Sequence, residues 1–293
     1  MPTVTALVRL PSLPAGNSQR SPFAGFGDPQ FSRDAGTLAS ATTRGLRLRN
    51  LKIERVSDAD LAAVAAVAGV AGAATVGNAS TVAPASPGWT SYSQISPLPD
   101  TREEILSIAR ALGADAQKDV YLGPDANRKK VMQTDLSKRR IVAFATHGLI
   151  PGDLPGLDQP ALALAALEDG KESPLLTLDD VLGLKLDADW VVLSACNTAA
   201  GDGQGAEAVS GLGRGFFYAG TRALLVTHWP VETVSARKLV SGIFERYAKE
   251  PTLTRAQAVQ GAMLAVMADR AENFSYAHPM FWAPYALIGD GGR

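Results

Sequence analysis

Cysteine and histidine are nearly absent from this chain of 293 residues: Cys196 stands alone, and the histidines are His147, His228 and His278. A single cysteine excludes an intrachain disulfide and any zinc site built on several thiolates. No HExxH-like spacing joins the three histidines, so no metal is expected. Charge of one sign is missing too. The 28 basic residues nearly balance the 29 acidic ones, for a formal net of −1, so no overall field attracts nucleic acid or anionic lipid.

Long apolar runs are also lacking. The sole candidate, residues 61–76, is shorter than the roughly 20 residues that span a bilayer and consists largely of Ala and Gly. It reads as a helix packed on protein, opened by Ser57 as N-cap with Asp58 and Asp60 in the first turn. At the amino terminus, prolines break up the stretch where a signal peptide needs an unbroken apolar segment. These features lead to the expectation of a cytoplasmic, membrane-free protein. The glycines match neither the GxGxxG nor the GxxxxGK[ST] phosphate fingerprint, and no GxSxG elbow is present.

What is present is a 46% hydrophobic composition with 19% charged residues, enough to bury a large core. From Thr101 onward, short apolar runs alternate with amphipathic segments, the pattern of a mostly parallel sheet with helices on both faces. Six strands are expected: Phe23–Phe26, Val120–Leu122, Ile141–Thr146, Trp190–Ala195, Arg222–Thr227 and Pro284–Ile288. Helices are expected at Arg102–Leu112, Leu178–Leu184, Ala206–Ala219, Val234–Lys249 and Arg255–Asp269, with Thr177 and Asp180 forming a capping box. A hairpin beside the sheet is expected from Ala161–Ala165 and Pro174–Leu176. Residues 33–97, rich in Ala, Ser, Thr, Gly and Pro, read as an inserted low-complexity segment, peripheral and partly mobile.

Two expected strands run into reactive side chains. Ile141–Thr146 leads to His147, and Trp190–Ala195 leads to Cys196; ligands of open α/β sheets bind beyond the carboxyl ends of strands. A thiol attacks as its thiolate, and an imidazole is the usual group that takes its proton. His147 precedes Cys196 by 49 positions, near the spacing of about 50 in caspases. Taken alone, a cysteine is more often an inert buried residue; the strand-end placement shared with His147 favours catalysis. His228 and His278 read as structural hydrogen-bonding residues. Asp153, Asp202 and Glu207, in loops after the two strands, are candidates to meet a basic substrate side chain, against the plainer reading of solvated loop acids.

The strings FATHG (144–148), DADWVVLSACNTAAG (187–201), GLGRGFFYAGTRALLVTHWPV (211–231) and HPMFWAPYALIGDG (278–291) resemble the CHAT domain, a caspase-like peptidase domain associated with TPR repeats. The resemblance implies one domain over 1–293 with a caspase/separase-type α/β fold, least well accounting for 33–97. It implies a Cys–His dyad of Cys196 and His147 that hydrolyses peptide bonds, with an oxyanion hole made by the backbone N–H groups of Gly148 and Cys196. It further implies a protein or peptide substrate, a TPR region or TPR protein as partner, and no cofactor. Family members usually carry further strands and a linker to TPR repeats, so an N-terminally truncated domain is expected. The alternative is a non-catalytic adaptor that keeps the caspase-like shape to bind partners.

Overall fold

The computed structural model describes residues 16–32, 89–167, 172–194, 204–229, 231–271 and 274–292. Cys196, Asp202 and the helix expected over 61–76 lie outside the described residues. The strands are β1 (Ser21–Pro29), β2 (Val120–Gly123), β3 (Arg139–Ala145), β4 (Gly148–Leu149), β5 (Ala161–Ala163), β6 (Leu175–Thr177), β7 (Trp190–Leu193), β8 (Ala223–Thr227), β9 (Arg270–Ala271), β10 (Phe274–Ser275) and β11 (Tyr285–Gly289). The helices are α1 (Asp100–Ala111), α2 (Ala116–Asp119), α3 (Arg128–Gln133), α4 (Leu178–Gly183), α5 (Gln204–Ala219), α6 (Thr233–Lys249) and α7 (Arg255–Ala268).

Six strands form the main sheet in the order β11-β8-β7-β3-β1-β2. All neighbours run parallel except β11, which closes the β8 edge antiparallel. The expected six-stranded, mostly parallel sheet is therefore the fold. Residues along β3 alternate between its two faces, as strand geometry requires. Ile141 and Ala143 join Trp190, Ile105 of α1, Phe244 of α6 and Ala262 of α7 on one face. Val142 and Phe144 join Val131 of α3, Val181 of α4 and Phe216 of α5 on the other. Both faces are thus covered, which explains why the strands read as continuous apolar runs.

Local signals fix several boundaries. The Thr177/Asp180 capping box opens α4, and Thr254 with Gln257 makes a second one at α7. The Glu232 carboxylate caps α6 by accepting from the Val234 and Ser235 N–H groups. Gly220 follows α5 at φ +115°, where an added Cβ would lie 2.3 Å from the Leu186 carbonyl oxygen, so no other residue fits there. At the amino ends of the strands, Arg20 meets Asp189 at 3.0 Å and Arg222 meets Asp187 at 2.8 Å. These pairs tie the entrance of β1 to that of β7 and β8.

The expected hairpin is real and larger than anticipated: β5 and β6 pair antiparallel, and β4 adds a third strand. Residues 89–97, which composition groups with the peripheral segment, belong to the packed body. Trp89 and Ile95 are buried in a third cluster with Phe31, Leu149, Leu154 and Leu157. Among the described residues, no helix is long and apolar enough to cross a membrane.

Candidate functional site

His147 sits two residues beyond β3, where the chain turns into β4. The turn is fixed by β5: the Thr146 hydroxyl donates to the Ala163 carbonyl, and the Ala163 N–H donates to the His147 carbonyl at 2.9 Å. Gly148 lies opposite Leu162 in this ladder. A bond from Ala163 N–H to the His147 carbonyl flanks that pair in the pattern of a non-hydrogen-bonded pair, so the Gly148 N–H points away from β5.

The imidazole itself is fully buried. Its Nε2 lies 2.7 Å from the carbonyl oxygen of Ser96. A carbonyl can only accept, so Nε2 carries the proton and, in the neutral ring, Nδ1 holds the lone pair. Two aromatic rings pack against the imidazole: Phe31 at 5.4 Å between centroids and 50°, and Trp89 at 5.8 Å and 68°.

The segment bearing Ser96 is pinned from several directions. Trp89 N–H donates to the Asp153 carbonyl at 3.2 Å, the Thr90 N–H and hydroxyl both donate to Gln94 Oε1, and the Tyr92 hydroxyl donates to the Leu164 carbonyl. Burial of that phenol pushes its pKa well above the usual tyrosine range. Asp153 is no solvated loop acid. It is buried, and its carboxylate accepts from Ile150 N–H at 2.8 Å, closing the turn on which Trp89 rests.

Beside β3 lies β7, parallel and in register with Phe144 opposite Leu193. The ladder continues through Ser194, whose N–H donates to the Phe144 carbonyl at 2.9 Å. The chain then runs on to Cys196, two positions later and outside the described residues. Of the three candidate acids, Asp202 also lies outside them, and Glu207 falls on α5. The other histidines sit elsewhere: the His228 N–H donates to the Pro284 carbonyl, and His278 Nδ1 accepts from Met280 N–H at 3.2 Å.

On the other side of β3, β1 carries Asp28, its penultimate residue, at φ +49°. Its N–H donates to the Thr101 hydroxyl and its carboxylate accepts from Arg102. Burial raises the Asp28 pKa, with Arg102 acting against it.

Sequence reading missed Ser96, Phe31 and Trp89. A backbone carbonyl leaves no mark on residue identity, so nothing could have found Ser96. Trp89 had a signal, a large aromatic in an otherwise Ser- and Pro-rich stretch.

Comparison with known proteins places this geometry in context. The chain is 27% identical over 222 residues to tetratricopeptide repeat protein 28 of Mus musculus, a match covering 66% of this chain and 9% of that protein. It therefore spans a small part of that relative's length. The sequence profile of the CHAT domain matches residues 1–290, and the chain belongs to the CHAT domain family.

Proposed function

We propose that the chain is a cysteine endopeptidase domain in which Cys196 is the nucleophile and His147 its base. The observation that supports this most directly is the His147–Ser96 hydrogen bond at the carboxyl end of β3, beside the strand that leads to Cys196. With Nε2 committed to a carbonyl, Nδ1 is the nitrogen that takes the thiol proton. The thiolate sulfur then bonds to the peptide carbonyl carbon, and the oxyanion is held by the N–H groups of Gly148 and Cys196. Collapse breaks the C–N bond as the imidazolium returns its proton to the leaving amine. Water, deprotonated by His147, hydrolyses the thioester, and the proton goes back to sulfur.

Asp202 and Glu207 are the acids available to pair with a basic substrate residue, since the Asp153 carboxylate is engaged by its own turn. A reducing cytoplasm suits a mechanism that needs a free thiol. Similarity to a protein named for tetratricopeptide repeats supports a TPR region or TPR protein as partner, and the same similarity favours the adaptor as second reading.

The test is cleavage of a peptide library by the activated protein. Either Cys196→Ala or His147→Ala should abolish nearly all turnover, the double variant should be little worse, and EDTA should have no effect. Cleavage surviving Cys196→Ala refutes the thiol mechanism. A wild type that binds a TPR partner yet labels with no peptidyl electrophile establishes the adaptor.

A further inference from the structure

Phe31 and Trp89, far apart in sequence, both lie against the ring of His147. Phe31 is 3% exposed and Trp89 8%. Together they pack against the imidazole while Ser96 holds its Nε2. One hydrogen bond fixes the position of a single ring atom and leaves rotation about that contact open. Aromatic rings packed against it remove that rotation, and by excluding water they strengthen the Nε2–H···O bond.

We propose that Phe31 and Trp89 are positioning residues that hold the imidazole of His147, and with it Nδ1, in the orientation that its role as base requires. The wall they form is itself supported: the Asp153 carbonyl accepts the Trp89 N–H, and Leu149, Leu154 and Leu157 pack beneath it. The inference rests on the dyad reading and deepens it. A base displaced by about 1 Å loses on the order of 100-fold in rate without any change in substrate binding, so the effect belongs in kcat and not in KM.

The experiment compares Trp89→Ala, Trp89→Phe, Phe31→Leu and His147→Ala in the full chain. Two readouts are used: the pH profile of Cys196 alkylation by iodoacetamide, and exchange of the His147 Nε2–H proton in a histidine-labelled NMR spectrum. Trp89→Ala should shift the alkylation profile toward that of His147→Ala and speed loss of the Nε2–H signal, with kcat for a cleaved peptide about 10–100-fold lower at unchanged KM. Trp89→Phe should restore all three. Phe31→Leu, which keeps the bulk and removes the ring, should give the same direction of change even if Trp89→Ala fails to fold.

If His147→Ala alkylates as the wild type does, the dyad reading falls and this inference with it. If His147→Ala differs while Trp89→Ala and Phe31→Leu match the wild type in profile and exchange, the positioning role alone is overturned.

Discussion

The Nε2 of His147 and the carbonyl oxygen of Ser96 lie 2.7 Å apart, joined across 51 positions of sequence. Because the acceptor is backbone, the serine side chain is dispensable. Ser96→Ala should leave turnover within about twofold of wild type, the range of a surface change with no lost contact. Pro97 holds the preceding residue in extended backbone, so Pro97→Gly should lower kcat by about tenfold by loosening the acceptor. Equal kinetics for wild type and Pro97→Gly would show that the carbonyl needs no such restraint.

Two half-buried carboxylates should give opposite pH dependence. Burial pushes the Asp180 pKa up, but the paired bonds from Arg128 and the Thr177 N–H outweigh it and hold the pKa below the usual value. Its contribution to stability is present above the unfolded pKa of about 4 and is lost as pH falls through the lower folded value. Asp28, raised by burial, contributes below the unfolded value and loses that contribution as pH rises through its folded one. Asp180→Asn should destabilise by about 1 kcal/mol at pH 7 and flatten the acid limb. Asp28→Asn, which tolerates the positive φ, should be neutral or slightly stabilising at pH 7. Urea unfolding from pH 3 to 7 checks both; parallel curves for all three proteins would contradict the assignment.

Trp190 is fully buried against Phe244 and Tyr247, at 5.3 and 5.5 Å between ring centroids. Its indole N–H has no hydrogen-bond partner among the described residues. Removing an orphaned donor offsets part of the volume lost in Trp190→Phe, so the net change should stay within about 1 kcal/mol. Phe244→Ala, which opens a cavity in the same cluster, should lose about 3–5 kcal/mol. Thermal or urea unfolding separates the two, and equal losses would mean the indole is satisfied.

At Gly27, an added Cβ would come within 2.7 Å of Ile105 Cγ1 on α1. Gly27→Ala should therefore cost about 1–3 kcal/mol through overpacking. The double variant Gly27→Ala/Ile105→Ala, which removes the clashing Cγ1, should be more stable than the sum of its single changes predicts. Strict additivity would mean that the helix moves aside without strain.

The sheet was legible in the sequence because buried parallel strands leave long apolar runs, as in 141–146 and 190–193, and because α6 and α7 are long enough to show helical spacing. The four-residue α2 and the two-residue β4 are too short to carry a period. Composition failed at 89–97 for a different reason: a Ser- and Pro-rich segment became part of the core through two residues, Trp89 and Ile95. At the candidate site, the place of His147 just beyond an apolar strand was legible, whereas Ser96, which meets the ring through its main chain, was not. Position along the chain also hid Phe31, which lies far from His147 in sequence.

The placement of β1 between β3 and β2 bears on how the protein is made. Phe23 pairs opposite Ile141 and Gly25 opposite Val120, so β1 gains its first strand partner only when Gly123 has been added and its second only when Ala145 has. At about 5–20 residues per second that interval is on the order of ten seconds, during which Phe23 and Phe26 stay unpaired and sticky. Pairing of β1 is therefore a late, long-range step, which slows completion of the sheet. Loop closure tolerates this arrangement, because doubling the intervening length adds only about 0.6 kcal/mol. The stretch between β1 and Trp89 can accordingly lengthen or shorten at little thermodynamic expense, while the burden falls on whatever shields the nascent strand.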